Sequence, residues 1–220
     1  MSRPSPAAPS REAPSRVTEI LDAAAEAFNQ QGYDATSLDY IGDVLGVTKG
    51  SIYYHYRSKA DLFVAVYRRV MEMNIETVEP IAAQKDVPAV QRLYRMAHAH
   101  SMQVMKHLSY QRVAVQGLEA QLMGRVNEEQ RARLNDVIQL RDRYEKLFVR
   151  MITQAIEAGD LPQQNPRLAV KPLFGAINWT TMWYQPRPGE TAEDRDRIAT
   201  QLASFVVGGL RQPFRPDPPG

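Results

Sequence analysis

Residues 37–56 read SLDYIGDVLGVTKGSIYYHY, and the spacing of their glycines and apolar residues decides how the chain folds. Gly42 stands four residues before Gly46, and Ile52 follows Gly46 by six, which is the spacing of a helix-turn-helix unit. Gly46 accepts a turn conformation that a residue with a Cβ resists, and Gly42 is expected to let the second helix approach closely. The stretch therefore predicts a short helix that ends at Gly46 and a second one over residues 48–55.

The exposed side of the second short helix carries hydrogen-bond donors that are short enough to reach phosphates and base edges in a DNA major groove. These donors are Lys49, Ser51, Tyr53, Tyr54 and His55. Residues 47–60 contain several basic residues and no acidic one, as a phosphate-facing surface requires. The net charge of +2 is too small to indicate nucleic acid by itself. From spacing alone, a plain hairpin of two helices remains the alternative to a DNA-reading unit.

In the rest of the chain, apolar residues recur at intervals of three and four, which is the period of amphipathic helices. The sequence predicts an all-α protein of about nine helices, with a three-helix helix-turn-helix domain over residues 15–60 and a larger helical domain over 61–211. Proline-rich composition predicts a flexible arm over 1–14 and a flexible tail over 212–220. The predicted helices cover residues 15–32, 36 or 37 to 46, 48–55, 58 to about 71, 87–107, 109–122, 127–158, 165–184 and 191–210.

The chain lacks the residues that several classes of protein function require. The chain has no cysteine, which excludes disulfides, thiolate metal ligands and a cysteine nucleophile. It also has no Gly-rich phosphate loop and no HExxH or GxSxG motif, so we expect no enzyme activity, no catalytic residue and no cofactor. His98 and His100 point to different faces of a predicted helix, so no metal site is expected. Since the sequence shows neither a signal peptide nor a membrane span, we expect a soluble, cytoplasmic protein with no membrane partner.

The larger domain is rich in methionine and aromatic residues, which suits either an ordinary core or an adaptable pocket for an elongated apolar ligand. Arg141 falls on the apolar stripe of the long predicted helix, and a buried guanidinium must find a partner. That partner is either an internal carboxylate such as Glu119 or Glu145, or the carboxylate, thioester or phosphate of a ligand.

Residues 20–66, ILDAAAEAFNQQGYDATSLDYIGDVLGVTKGSIYYHYRSKADLFVAV, strongly resemble the N-terminal domain of TetR-family regulators. The ordered matches are Phe28, Gly32, Thr36, Ile41, the turn over residues 46–50, the run over 53–56, Lys59 and Leu62. The chain departs from the family at 41–42 and 45–46, where it has Ile-Gly and Leu-Gly instead of the usual Ile-Ala and Ala-Gly.

The resemblance implies a ligand-responsive transcriptional repressor that binds double-stranded DNA. Lys49, Gly50 and Ser51 would enter the groove, and Tyr53, Tyr54, His55 and Lys59 would hold phosphates. Thr36, Ser37 and Thr48 complete the predicted DNA-contacting set. One such unit makes too few contacts for tight specific binding, so we expect a homodimer on an inverted-repeat operator.

By the same resemblance, the last two helices, over residues 165–184 and 191–210, would pair with those of a second chain. The small residues Gly175 and Ala176 would allow close approach between helices, although they also suit packing within one chain. The larger domain would then bind both the ligand and the second subunit.

Residues 173–186, LFGAINWTTMWYQP, and 140–148, LRDRYEKLF, resemble TetR-type repressors of fatty-acid and steroid breakdown, which typically respond to acyl-coenzyme A thioesters. This resemblance implies an apolar effector, with an acyl-coenzyme A as the expected class. The residues expected to contact the effector are Met105, Arg141, Tyr144, Phe148, Asn178, Trp179 and Trp183. The arginines considered for the coenzyme A phosphates are Arg125, Arg131, Arg133 and Arg141, although charged runs more often form a solvated helix face.

Three alternatives remain at this point. A TetR-like multidrug sensor of aromatic or cationic compounds would need buried carboxylates, and the sequence indicates none. A scaffolding protein would use the N-terminal helices for protein contacts. An enzyme with an attached helix-turn-helix unit would need the catalytic residues that the sequence lacks.

Overall fold

A computed structural model describes residues 15–115 and 128–211, and every regular element in these ranges is a helix. The helices are α1 (Arg16–Ala35), α2 (Leu38–Leu45), α3 (Lys49–His55), α4 (Lys59–Ala82), α5 (Ala89–Lys106), α6 (Leu108–Val115), α7 (Glu128–Glu157), α8 (Pro166–Asn178), α9 (Thr180–Trp183) and α10 (Ala192–Arg211). The predicted all-α class is confirmed. The predicted arm and tail lie outside the described residues, as do Glu119 and Arg125.

Polar side chains cap the helices that the sequence predicted from capping patterns. Ser15, Ser58 and Asn165 each accept a hydrogen bond from a backbone N–H in the first turn of α1, α4 and α8. Before α10, the N–H of Asp194 donates to Thr191 Oγ1 at 3.2 Å, and the N–H of Thr191 donates to the Asp194 carboxylate at 2.9 Å. Each cap satisfies N–H groups that have no partner within the helix, which fixes where the helix begins.

Glycines in the left-handed region end three helical segments where the sequence predicted. Gly46 has φ +64° and closes α2, and Gly159 has φ +77° just beyond α7. Gly32 has φ +80° and interrupts α1, after which one further turn reaches Ala35. Only glycine adopts this conformation without steric cost, so these positions fix the chain reversals.

Three predicted helices differ from the observed ones. The helix expected over 165–184 is divided at Trp179, where the Met182 N–H bonds the carbonyl three residues before it and tightens the turn. The helix expected over 58 to about 71 continues to Ala82, with Pro80 inside it. Of the helix expected over 109–122, the described part of the chain contains α6 over 108–115, and residues 116–122 lie outside it.

An aromatic cluster holds the N-terminal helices against α4. Phe28 and Tyr33 of α1 pack on Phe63 of α4 with ring centroids 5.2 and 5.1 Å away, both edge-on. Ile41 of α2 and Ile52 of α3 are also buried in this cluster. Burial of this apolar surface fixes the short helices α2 and α3, which are too short to be stable alone.

A second core joins α5, α7, α8 and α10. At its edge the structure buries Arg92, which the sequence analysis had not identified, rather than Arg141. The Arg92 guanidinium donates to the Ala82 carbonyl at 2.8 Å and to Gln154 Oε1 at 3.0 Å. It therefore satisfies a carbonyl at the end of α4, where a helix dipole favours a cation.

Candidate functional site

Helix α3 presents a polar face to solvent because its apolar side is anchored in the core. Ile52 is fully buried, whereas Tyr54 is 85% exposed and Tyr53 is about half exposed. Lys49, Gly50 and Thr48 are exposed as well, and Ser51 and His55 are partly exposed. The predicted contact face of the second short helix is therefore available to a partner.

Lys49 is not free on this face. Its Nζ donates to Asp39 Oδ2 of α2 at 2.5 Å, and this hydrogen bond raises the pKa of the ammonium group. The pair is exposed to solvent on both sides, so DNA phosphates can compete for the lysine. Asp39 thus holds a predicted groove-entering side chain in place on the unbound protein.

Two of the predicted DNA contacts make hydrogen bonds within the protein. The buried Thr36 hydroxyl donates to the Gly32 carbonyl at 2.7 Å, so the structure does not support a phosphate contact by this side chain. The Lys59 ammonium donates to the carbonyls of Tyr33 and Asp34 at 2.7 and 2.9 Å, and it lies 4.6 Å from the Tyr33 ring centroid. It therefore joins the end of α1 to the start of α4.

Ser37 is exposed and caps α2, with its hydroxyl accepting from the Tyr40 N–H at 3.1 Å. The first N–H groups of this helix point toward the same surface as its capping residue, which leaves Ser37 suited to the predicted phosphate contact.

Gly42 is not needed for the close helix packing that was expected from the sequence. A Cβ there would lie 3.4 Å from Ile52 Cγ1, an ordinary contact, so the close approach of α3 does not require glycine.

A cavity of about 340 Å³ opens between α4, α5, α6, α7 and α8. Its wall combines apolar and aromatic groups with a few amide, imidazole and phenol groups, as in many small-molecule sites. The lining residues are Tyr67, Met71, Asn74, His100, Gln111, Ala114, Val115, Arg141, Tyr144, Glu145, Lys171, Phe174 and Asn178.

The buried polar groups of this wall are mostly paired with one another. Asn74 and Gln111 exchange amide hydrogen bonds of 3.3 and 2.7 Å. The Nε2–H of His100 donates to Asn178 Oδ1 at 3.0 Å. Of the described lining residues, His100 and Tyr144 each have one atom without a hydrogen-bond partner, the His100 Nδ1 and the Tyr144 hydroxyl. Burial lowers the pKa of His100 to about 4 and raises the pKa of Tyr144 well above its usual value, so both groups are uncharged near neutral pH.

Among the described residues of the cavity wall, the charged side chains lie at its exposed edge. Lys171 donates to the Glu145 carboxylate at 2.7 Å. The prediction that Arg141 is buried is wrong, because its side chain is 45% exposed and lies 3.5 Å from Asp142. Arg141 lies at the cavity mouth, on the exposed side of α7, whereas Tyr144 and Phe148 of the same helix are buried in the core.

The structure brings together some of the residues predicted to contact a ligand. Arg141, Tyr144 and Asn178 line the cavity, and Phe148 lies directly behind it with its ring 4.8 Å from that of Phe174. Met105 does not line it and packs in a separate small cluster. Neither tryptophan lines it: Trp179 is 62% exposed, and Trp183 borders surface grooves next to α10.

Sequence reasoning missed the polar residues on the cavity walls contributed by α4, α5 and α6. Asn74, His100 and Gln111 are buried polar residues on otherwise apolar helix faces. That interruption of the apolar pattern was the available signal. His100 had been considered only as a metal ligand, and the described residues contain no cluster suited to a metal ion.

Helix α6 connects the cavity to α1. Tyr110 donates to Asp22 at 2.7 Å, and Ser109 hydrogen-bonds to Glu26. On the other side of the helix, Gln111 lines the cavity. One short helix therefore contacts both the N-terminal helices and any molecule in the cavity.

Large apolar side chains are exposed along α8 to α10. Phe205 is 71% exposed, and Leu168 and Met182 are also mostly exposed, together with Trp179. Gly175 and Gly208 lie on exposed positions of α8 and α10, with open space beside them. An exposed apolar surface with small residues is typical of a helix-pairing interface. Among the described residues, no helix has the length and hydropathy of a membrane span.

Comparisons with known proteins agree with this architecture. Residues 20–66 match the model of bacterial regulatory proteins of the tetR family, and residues 86–210 match the tetracyclin repressor-like C-terminal domain. The fatty acid metabolism regulator protein of Bacillus subtilis is 26% identical over 202 residues, covering 89% of this chain and 95% of that protein. The HTH-type transcriptional repressor KstR2 of Mycobacterium tuberculosis is 28% identical over 207 residues, covering 89% and 93%.

Solved structures share the fold over almost their whole length. The regulator PfmR of Thermus thermophilus superposes with a TM-score of 0.72 at 23% identity, covering 88% of this chain and 99% of that one. AibR, solved in complex with isovaleryl coenzyme A and operator DNA, superposes with a TM-score of 0.70 at 24% identity, covering 91% and 100%.

Proposed function

Because the chain belongs to the TetR family of bacterial regulatory proteins, which are DNA-binding regulators of transcription and not enzymes, we propose a specific mode of action for it. It represses transcription as a cytoplasmic homodimer on an inverted-repeat operator, and an apolar effector releases it. The observation that carries this proposal is the cavity between α4 and α8, whose wall includes a helix that is hydrogen-bonded to the DNA-binding unit.

DNA contact is assigned to α3 and the start of α2. Tyr53, Tyr54 and His55 form an accessible edge next to Lys49, and Ser37 caps the neighbouring helix. Lys49 leaves Asp39 for the DNA on binding. The exposed Thr48, Gly50 and Ser51 complete the groove-facing surface, whereas Thr36 and Lys59 support it from inside.

Dimerisation is assigned to the exposed apolar surface of α8 to α10. Phe205, Leu168 and Trp179 lose their solvent exposure if two copies pair through these helices, and Gly175 and Gly208 permit close backbone approach. Trp179 and Trp183 then serve the interface and not the effector. A dimer places two copies of α3 on one side of the DNA, as half-sites about 34 Å apart require.

The effector proposed for the cavity is an acyl-coenzyme A thioester. The relatives named for fatty acid metabolism and the AibR complex with isovaleryl coenzyme A support this class. The acyl part lies against Met71, Tyr144 and Phe174, and Arg141 and Lys171 at the mouth face the anionic part. Arg133 is not among the lining residues of the cavity and bonds Asp61 at 3.2 Å, so it is less suited to a phosphate contact.

Coupling runs through α6. An effector in the cavity contacts Gln111 and Ala114, while Tyr110 of the same helix bonds α1. If the effector favours one position of α6, the position of α1 and the spacing of the two recognition helices change with it. A ligand shifts such an equilibrium only through its different affinity for the two arrangements.

The test is selection of bound fragments from random-sequence duplexes, followed by anisotropy titrations with acyl-coenzyme A compounds of short and medium chain length. We expect an inverted repeat to be enriched and at least one acyl-coenzyme A to weaken its binding by about 5–150-fold. Lack of any such weakening would rule out the effector class, while lack of an enriched repeat would rule out the dimeric operator.

Two other functions are less well supported. A sensor of aromatic cations needs a buried carboxylate, and the carboxylate that the described cavity wall offers, Glu145, is part-exposed and paired with Lys171. A scaffolding role predicts that protein contacts survive in a Lys49→Ala, Tyr54→Ala variant. A DNA-binding role predicts that this variant loses operator binding and keeps its fold.

A further inference from the structure

In the described part of the chain, two buried polar atoms of residues that line the cavity have no hydrogen-bond partner. They are His100 Nδ1 of α5 and the hydroxyl of Tyr144 of α7, and the two side chains are 3% and 5% exposed. Their ring centroids are 5.5 Å apart, and both rings also lie within 6 Å of Phe174. An unsatisfied polar atom in such a place destabilises the folded state, so its retention next to a cavity indicates a partner from outside the chain.

The amide side chains of the described wall, in contrast, have hydrogen-bond partners within the protein. Asn74 and Gln111 bond each other, and Asn178 accepts from His100. Among the described residues of the wall, the unsatisfied atoms belong to His100 and Tyr144, whose rings pack together on Phe174 where α5, α7 and α8 meet. A ligand that reaches this end meets one imidazole and one phenol.

The hydrogen bond to Asn178 determines which ring nitrogen of His100 is available to a ligand. Because His100 Nε2 carries the proton that it donates, Nδ1 of the uncharged ring presents a lone pair. The Tyr144 hydroxyl keeps its proton and can donate it. A carbonyl can accept from Tyr144, and a hydroxyl can accept from Tyr144 and donate to His100. A carboxylate would bring a negative charge to this end, whereas the cationic side chains Arg141 and Lys171 are at the exposed mouth.

We infer that the cavity recognises an apolar ligand by an uncharged oxygen, a carbonyl or a hydroxyl, placed at Tyr144 and His100, and that it discriminates against a carboxylate there. This inference rests on the proposed effector role of the cavity and names the chemistry of its inner end. A thioester carbonyl meets the requirement, whereas a free fatty acid does not. Burying a carboxylate without a cationic partner costs far more than burying a neutral oxygen.

The experiment is calorimetric titration of the full chain, without DNA, using three probes of equal chain length: 2-nonanone, 2-nonanol and nonanoate. At neutral pH the ketone or the alcohol is expected to bind at least about tenfold more tightly than nonanoate. The relative affinities of the ketone and the alcohol show whether a carbonyl or a hydroxyl is preferred.

Tyr144→Phe removes only the hydroxyl and is expected to weaken the preferred neutral probe by about tenfold, without lowering the melting temperature of the unbound protein. Tyr94→Phe is the matched control, because Tyr94 borders a different groove next to α10. Tight binding of nonanoate, no binding of either neutral probe, or unchanged affinity in Tyr144→Phe overturns the inference. Since no DNA is present, these outcomes are separate from a failure of operator binding or release.

Discussion

The Nε–H of Arg112 in α6 donates a hydrogen bond of 2.8 Å to the carbonyl oxygen of Thr181 in α9. The same guanidinium reaches the Tyr184 carbonyl at 3.3 Å and Asn29 of α1 at 3.4 Å. One side chain therefore joins the N-terminal helices, the helix beside the cavity and the segment that follows α8. This position suits Arg112 to transmitting movement between them.

Arg112→Gln is expected to uncouple effector binding from DNA release. The shorter side chain cannot bridge α1 and α9, so the effector and the DNA should each bind, but the effector should weaken DNA binding at least about fivefold less than in the wild type. Anisotropy titrations with and without a saturating acyl-coenzyme A that releases the wild-type protein measure this. Arg95→Gln, which removes an exposed arginine bonded to Gln84, is the control. Full release of Arg112→Gln by the effector would contradict the prediction.

Asp39→Asn is expected to strengthen DNA binding, because it replaces the ion pair with Lys49 by a weaker hydrogen bond and removes a negative charge from the DNA-facing surface. The affinity for random duplex DNA should rise, and the slope of log affinity against log salt should steepen by up to about 0.9, the value for one added phosphate contact. Titrations at several salt concentrations measure it. In a Lys49→Ala background the same substitution should leave the slope nearly unchanged, and an equal steepening there would disprove the role of the pair.

Two glycines of the helix-turn-helix unit should respond oppositely to alanine. Gly42 is helical and has room for a Cβ, so Gly42→Ala should raise the free energy of unfolding by about 0.5–1 kcal/mol. Gly46 has φ +64°, so Gly46→Ala should lower it by about 1–2 kcal/mol. Urea denaturation of both variants tests this, and a destabilised Gly42→Ala protein would show that the turn is tighter than its geometry indicates.

His100 should make stability fall in acid. Burial lowers the pKa of His100 to about 4 in the folded protein, against an ordinary value of 6.5. Between pH 4 and 6.5 the unfolded chain therefore binds a proton at this residue more readily than the folded chain does. The folded state keeps its full stability above about pH 6.5 and loses on the order of 3 kcal/mol as the pH falls to 4. Unfolding curves across this range should show a weaker pH dependence in His100→Gln than in the wild type. His98→Gln serves as the control, and identical profiles for wild type and His100→Gln would refute the assignment.

Phe205→Glu is expected to give a monomer. Phe205 is a large apolar residue of α10 with 71% exposure, and a carboxylate there would be buried without a partner in a pair of chains. Size-exclusion chromatography with light scattering reports the mass. Val44→Glu makes the same change on exposed α2 and should stay dimeric. A dimeric Phe205→Glu protein would place the interface elsewhere.

The helix-turn-helix unit could be predicted from sequence because its determinants are local. The stop at Gly46, the buried Ile52 and the exposed donors of α3 follow from spacing along one short stretch. The roles of Thr36 and Lys59 did not follow, since each depends on which carbonyl a folded neighbour presents. Arg141 was placed in the core by helical periodicity, but the position of the cavity leaves it at the mouth.

The all-helical class, the ends of most helices and the family follow from the residues alone, because caps, glycines and apolar periodicity act over a few residues. What the larger domain offers a ligand depends instead on how its helices pack. His100, Tyr144 and Phe174 are far apart in sequence and meet only when α5, α7 and α8 pack. Burial then leaves two of their polar atoms without a partner, and burial is a property of the packed helices, not of the residues.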